Sequence, residues 1–370
     1  MRTPTEASSK YRMRVAFIIA YEKSPYAGVV RPFINWAKEL KRHSIESTLI
    51  LIKSQGVREY LEAEDLDYQS ADNKQELRKL LKKDDFDYVF LDDHIKRLKM
   101  INVVKEFSKS VVYAQVLYGS HAISPVFVPI SIKDKVRELL FKFIPFTFPR
   151  YRYIKPISKA SIVLANSETT RTLLYTLYGI ITDNVVYPPL DTRIFKPCIN
   201  VKENQVVIYL GSFADTDPEI VKKVCKILND KGFKVMTLGN PGIAKVLRKE
   251  CSFEHISGVS DYELAKIYSR SMATIAPQKW EQFGYVVAES IACGTPVIAF
   301  NVMGPAEIIR NTDMGLLANS EIEFLNFVKF IEKYIDGFHK KSAYMSFNSS
   351  PFSIENSTRD LLSALSQIRN

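Results

Sequence analysis

Residues 272–300 read Met272-Ala-Thr-Ile-Ala276-Pro-Gln-Lys-Trp-Glu281-Gln-Phe283-Gly284-Tyr285-Val-Val-Ala-Glu289-Ser-Ile-Ala-Cys293-Gly294-Thr295-Pro296-Val-Ile-Ala-Phe300. The apolar runs Met272 to Ala276 and Pro296 to Phe300 are too short for buried helices and read as strands. Between them Tyr285 to Cys293 reads as a helix that starts near Gly284. A strand, a helix and a strand in this order imply a parallel sheet with helices on its faces.

The same alternation extends in both directions. Strands are predicted at Val206 to Leu210 and Lys234 to Leu238, with helices at Pro218 to Asp230, Asp261 to Ser269 and Glu321 to Tyr334. In the first half, strands are predicted at Arg14 to Ala20, Thr48 to Ile52, Tyr88 to Leu91, Val111 to Val116 and Ser161 to Ala165. Helices are predicted at Val29 to Lys41, Lys74 to Lys83 and Thr169 to Tyr178. The pattern stops at Tyr187-Pro188-Pro189 and resumes at Gln205, across a connector containing Phe195-Lys196-Pro197. The expected class is therefore α/β, with two Rossmann-like, doubly wound parallel-sheet domains facing a cleft. Their expected spans are 1–190 and 191–350, and a terminal helix within 351–370 is expected to pack back towards the first. Such sheets bind ligands outside the carboxyl ends of their strands.

With 370 residues, 46% hydrophobic and 25% charged, the chain can bury two cores and has no disordered or collagenous bias. Cys198, Cys225, Cys251 and Cys293 form no C-x-x-C pair, which argues against a zinc site or a disulfide framework and for a reducing, cytoplasmic setting. The opening MRTPTEASSKYR lacks the apolar run of a secretory leader. Val111 to Ile132 carries no charge but holds Gln115, Gly119, Ser120, His121, Pro125 and Pro129, so a strand and a loop fit it better than a membrane span. The net charge of +10 is local rather than spread as a nucleic-acid footprint would be. Seven basic residues between Lys133 and Lys155 face only Asp134 and Glu138.

Glu281 lies at the end of a loop after a strand, and Glu289 lies within the following helix. Carboxylates accept paired hydrogen bonds from vicinal hydroxyls, so Glu289 suits a ribose and Glu281 a sugar ring. The amides of Phe283 and Gly284 add an exposed helix N-terminus, which favours a diphosphate. A helix-borne Glu289 facing a ligand is expected to lie clear of the core. The plain alternative is one capping and one solvated carboxylate.

Glu281, Phe283-Gly284, Glu289 and Gly294-Thr295-Pro296 together resemble the E-x7-E segment of the family-4 retaining glycosyltransferases. The likeness extends to Gly258-Val-Ser-Asp261-Tyr-Glu-Leu264 with Ile267-Tyr268, and to Gly304-Pro305-Ala306-Glu307. It also takes in Ala165-Asn166-Ser167, and Val186-Tyr187-Pro188-Pro189-Leu190-Asp191 closed by Phe195. It is specific over about residues 160–320 and loose before them.

The resemblance implies the GT-B fold and metal-independent transfer, with retention, of a sugar from a nucleotide donor to an acceptor hydroxyl. It implies catalytic Glu281, and donor contacts from Gly28, Gly211, Ser212, Phe283, Gly284, Tyr285 and Glu289. A polar residue after the fifth strand should meet the donor sugar: Gln115 fits by register, and His121, preferred as the catalytic candidate, by chemistry. No cofactor or metal is implied; the nucleotide sugar is a substrate.

One departure stands out. Family members usually carry Arg after the glycine of the first C-domain strand and Lys about five residues on, whereas this chain reads Gly211-Ser212-Phe213-Ala214-Asp215-Thr216-Asp217. Another cation, such as Lys279 or Arg31, would have to serve the leaving diphosphate. The alternative is a catalytically weakened donor-binding or partner subunit. A GT-B epimerase or phosphorylase is a weaker third reading, as no Lys is placed for a pyridoxal cofactor.

Between Lys133 and Lys155, Val136, Leu139, Leu140, Phe143 and Ile144 form one apolar helical face. Pro145 and Pro149 are expected to end that helix, leaving Phe146, Phe148, Tyr151 and Tyr153 among Arg150, Arg152 and Lys155. This suggests peripheral attachment to an anionic membrane surface and an acceptor that is a lipid-linked glycan or a polyprenyl-phosphate-linked sugar. The alternative is an ordinary helix packed on the sheet.

Overall fold

The computed structural model describes residues 13–117, 147–199, 201–211, 215–338 and 343–367. The chain divides into two compact units, one of residues 1–116 with 153–164 and one of 117–152 with 165–370.

In chain order the first elements are β1 (Arg14–Ala20), α1 (Arg31–Arg42), β2 (Glu46–Ile52), α2 (Gln55–Ala63), β3 (Tyr68–Ser70), α3 (Lys74–Asp84) and β4 (Tyr88–Asp92). Short helices α4 (Ile95–Leu98) and α5 (Ile101–Val104), then β5 (Lys109–Ala114), α6 (Thr147–Ile157), β6 (Ile162–Ala165), α7 (Glu168–Leu173) and β7 (Asn184–Val185) follow. The strands lie in the order β3-β2-β1-β4-β5-β6-β7. Val15 to Ala20 are all buried, as a strand covered on both faces by helices requires. Phe17, Phe33, Trp36, Phe90 and Tyr113 form the aromatic centre of this core, with Phe17 to Phe90 centroids 4.8 Å apart and Trp36 to Tyr113 4.9 Å.

The second series is β8 (Gln205–Tyr209), α8 (Pro218–Asp230), β9 (Lys234–Leu238), α9 (Pro241–Leu247), β10 (Glu254–Ile256), α10 (Asp261–Arg270) and β11 (Ala273–Ala276). It continues with α11 (Tyr285–Ala292), β12 (Val297–Phe300), α12 (Met303–Thr312), β13 (Gly315–Ala318), α13 (Glu321–Lys329), α14 (Ile331–Ile335), α15 (Ala343–Ser349) and α16 (Ile354–Gln367). Its sheet order is β10-β9-β8-β11-β12-β13, and every described pair in it is parallel. The strand order reverses between β8 and β11, which is where open sheets of this kind bind ligands.

Two local expectations need correction. The predicted helix Glu321 to Tyr334 is two helices, separated at Phe330. The predicted helix Thr169 to Tyr178 is the short α7 followed by a π turn over Leu174–Tyr178. The helix that Pro145 and Pro149 are expected to end lies outside the described residues; Pro149 itself lies in the first turn of α6, where the missing N–H has no intrahelical partner to lose. On α6, Tyr153 is fully buried and its hydroxyl donates to Asp93 Oδ2 at 2.6 Å. It therefore belongs to the core, while Tyr151, Arg152 and Lys155 are exposed. Residues 118–146, which hold most of the basic stretch, lie outside the described residues.

Candidate donor site at the carboxyl ends of β8 and β11

β8 ends in Tyr209 and leads through Leu210 to Gly211, whose φ of +38° favours glycine. A Cβ there would press on the side chains of Asp215, Thr216 and Gln278. Gln278, itself 2% exposed, ties the two loops together by donating to Tyr209 O at 2.9 Å and Thr216 Oγ1 at 3.0 Å. Lys279 N donates to Asp215 O at 3.1 Å. Asp217, near the position where the resemblance leads one to expect Lys, caps α8 by accepting from Glu219 N at 2.9 Å. The Lys279 ammonium lies 4.8 Å from the Phe300 ring centroid.

The loop after β11 delivers Glu281, which is half-buried. Burial and the neighbouring Asp215 push its carboxyl up to about 7, against the opposing effect of hydrogen bonds from the Phe283 and Gln282 amides. The Tyr209 hydroxyl is raised well above its ordinary range by burial and by Glu281, Asp215 and Glu289. Gly284 adopts φ +98° at the N-cap of α11. A Cβ on Gly304, at the start of α12, would collide with the backbone of Gln282 and Phe283, and Gly304 N donates to Glu281 O at 3.0 Å. No side chain caps α11 or α12. These helix starts carry the positive ends of the helix dipoles, which favour an anion, although the Gly304 and Val287 N–H groups are already held by Glu281 O and Gly284 O.

Glu289 is 1% exposed and accepts a hydrogen bond from Tyr268 OH at 3.0 Å. The expectation that it lies clear of the core does not hold. Residues Val286 to Ala292 are all buried, so α11 has no solvent face on which a carboxylate could stand. Phe283 is 4% exposed and meets the Tyr285 ring edge-on at 5.1 Å, and its backbone amide is hydrogen-bonded to the Glu281 carboxylate, so it serves the site by holding Glu281.

The other sequence candidates lie elsewhere. Gly28 and Gln115 are in the first unit, where Gln115 Nε2 donates to Val29 O at 3.2 Å and its N–H to Asp93 Oδ1 at 2.9 Å. His121 and Ser212 lie outside the described residues. Asp215, Gln278 and Tyr268 were not singled out as site residues by sequence reasoning; their roles come from contacts across many residues. Among the described residues, no group of three or more His, Cys, Asp or Glu side chains could hold a metal ion, and no helix is long and apolar enough to cross a membrane.

Residues 193–348 match the family model described as glycosyl transferases group 1. A D-inositol 3-phosphate glycosyltransferase from Acidothermus cellulolyticus is 28% identical over 193 residues, covering 44% of this chain and 43% of the relative. An N-acetyl-alpha-D-glucosaminyl L-malate synthase from Bacillus anthracis is 25% identical over 152 residues, 39% of this chain and 40% of the relative. The chain thus spans less than half the length of these curated relatives. Among solved structures, a glycosyltransferase from Rickettsia africae superposes with a TM-score of 0.73 at 17% identity, covering 97% of this chain and 99% of the other. The Anabaena protein Alr3699/HepE, in complex with UDP and glucose, gives 0.71 at 15% identity, covering 96% and 100%. The fold is GT-B, and residues 193–348 are similar to the glycosyl transferases of group 1.

Proposed function

We propose that this protein is a retaining, metal-independent glycosyltransferase that moves a sugar from a nucleotide donor to a glycan acceptor, free or lipid-linked. The observation that carries this reading is the meeting, at the reversal of the second sheet, of Glu281, the uncapped start of α11 and the uncapped start of α12. In this reading the diphosphate lies against the helix N-termini, where backbone amides replace a metal. Glu289 holds the ribose hydroxyls, and Glu281 orients the sugar and stabilises the positive charge it gains as the bond to the diphosphate breaks. The acceptor hydroxyl attacks on the face from which the diphosphate leaves, and its proton passes to the departing phosphate oxygen.

A second reading, a donor-binding subunit with weak or no catalysis, draws on Asp217. That residue caps a helix near the expected lysine position, and Asp215 adds negative charge beside Glu281. Thermal shift against UDP-, GDP- and ADP-sugars, followed by nucleotide release with and without glycan acceptors, separates the two. UDP-sugars come first because a structural neighbour is described with UDP and glucose. Transfer predicts acceptor-dependent release with the anomeric configuration kept. Binding without release supports the subunit, and inversion or a strict need for added divalent metal overturns the proposed reaction.

A further inference from the structure

Lys222, Cys225 and Asn229 of α8 stand at i, i+3 and i+7 and share one helix face. Residues 250–252, which follow α9, are clamped to that face. Asn229 Nδ2 donates to Ser252 O at 3.0 Å, and Asn229 Oδ1 accepts from Ser252 N at 3.1 Å. Cys251 Sγ donates to Lys222 O at 3.8 Å, Cys225 Sγ donates to Ser252 O at 3.9 Å, and the Lys222 ammonium pairs with Glu250. These contacts bring two thiols together that lie 26 positions apart in the chain, and Cys225 and Cys251 are hydrogen-bonded to one another.

The two sulfurs differ in environment. Cys225 is 1% exposed, and burial pushes its thiol up, with the bond to Cys251 adding to the effect. Cys251 is half-buried and within reach of solvent. The charge on Lys222 is favoured first by Glu250 and also by Cys251, and a cation beside an accessible sulfur favours the thiolate, the form that attacks an oxidant. The other two cysteines are arranged differently. Cys198 and Cys293 each take the Ser269 hydroxyl as hydrogen-bond partner, a hydroxyl rather than a second thiol.

We propose that Cys225 and Cys251 form a peroxide-reactive dithiol that closes reversibly into a disulfide and ties α8 to the segment after α9. The Cys251 thiolate attacks one oxygen of hydrogen peroxide and the O–O bond breaks, leaving Cys251 as a sulfenic acid and a hydroxide that takes up the proton Cys251 released. The Cys225 thiol then attacks the oxidised sulfur. The S–S bond forms, and the Cys225 proton departs with the sulfenic hydroxyl as water. Two thiols are oxidised and one peroxide is reduced to two waters. The closed loop contains β9 and α9 and lies next to β10, the three-residue strand at the sheet's edge, so the bond constrains the unfolded chain and stabilises this part of the second unit. Neither sulfur is among the groups gathered at the carboxyl ends of β8 and β11, and the cross-link is independent of how that site is used.

Treating the full chain with hydrogen peroxide, alkylating the remaining thiols and mapping the digest by mass spectrometry tests it. The wild type should yield a peptide pair linked through Cys225 and Cys251, lose two of its four titratable thiols, and melt about 5 °C higher, with all three changes reversed by dithiothreitol. In Cys225→Ala the reaction should stop at the Cys251 sulfenic acid, trapped by dimedone, with no rise in melting temperature. In Cys251→Ser, Cys225 should stay free. The wild-type peptide map carries the result even where a variant folds poorly. The proposal is overturned if wild-type Cys251 is oxidised without cross-linking to Cys225, if Cys198 and Cys293 link first, or if all four thiols survive the peroxide.

Discussion

At the scale of single residues, the two glutamates of the E-x7-E segment differ in environment. Glu281, half-buried beside Asp215, has its carboxyl pushed up to about 7. If transfer needs its ionised form, kcat/KM should rise with pH through about 7, and Asp215→Asn should move that limb to lower pH by removing a like charge. Glu281→Gln should abolish the limb and lower kcat about a hundredfold; an unmoved limb in Asp215→Asn removes the assignment. The same elevation bears on stability. Folding favours the protonated group, so its stabilising contribution is complete below the ordinary carboxyl range of about 4.5 and is lost as pH rises through about 7. Glu289 is instead tied to Tyr268 within the core. Glu289→Ala should weaken nucleotide binding and also destabilise the fold by about 1–3 kcal/mol, because it strips a buried hydroxyl of this acceptor. Adding Tyr268→Phe should restore melting temperature without restoring nucleotide affinity; recovery of both makes Glu289 purely structural.

At the scale of elements, Glu307 shows how a motif residue can act through a helix rather than a ligand. Its carboxylate accepts from Glu168 N at 3.0 Å, Thr169 N at 2.7 Å, the Thr169 hydroxyl and Tyr187 OH at 3.0 Å, so it satisfies the open amides at the start of α7. Glu307→Gln should cost about 1.5–3 kcal/mol in stability and leave nucleotide affinity unchanged. A fall in affinity with stability intact would instead place Glu307 on the ligand. The elements themselves were largely readable. β1, β9 and α8 fall where apolar runs and the Asp217-Pro218 start signal put them. β3 and β10, three residues each, carry no apolar run long enough to register. Apolar residues flank Glu289 and Ser290 on both sides in Val286 to Ala292, so α11 is covered all round, and Glu289 is buried with it. The partners Tyr268 and Asp215 were invisible because only tertiary folding brings residues 21 and 66 positions away to these glutamates. The Arg97 guanidinium, which donates to Ala20 O at 2.8 Å and pairs with the Glu22 carboxylate, has the same origin: no local pattern links residue 97 to residues 20 and 22.

At the scale of the whole molecule, the net charge of +10 is unevenly placed, and the segment Lys133 to Lys155 supplies about half of it. Among its described residues, Tyr153 is anchored on Asp93, which fixes one side of α6 to the first unit, while Tyr151, Arg152 and Lys155 are exposed. A helix held by a buried tyrosine, with an exposed aromatic and two exposed cations, can meet an anionic surface without unfolding. Each cation near such a surface contributes about 1 kcal/mol, and the attraction weakens as salt shortens the Debye length. We therefore expect flotation with vesicles containing phosphatidylglycerol but not with neutral phosphatidylcholine vesicles, and release by 0.5 M salt. Arg152→Glu with Lys155→Glu should lower vesicle binding at least about thirtyfold, as two lost attractions of about 1 kcal/mol become repulsions. The melting temperature should hold, since neither side chain is buried, whereas Tyr153→Phe should destabilise the fold by removing a buried hydrogen bond to a charged group. A wild-type protein that stays with the soluble fraction for both vesicle types, or a charge-reversed variant that floats as well as wild type, removes the membrane reading. Neither outcome bears on transfer to a free glycan.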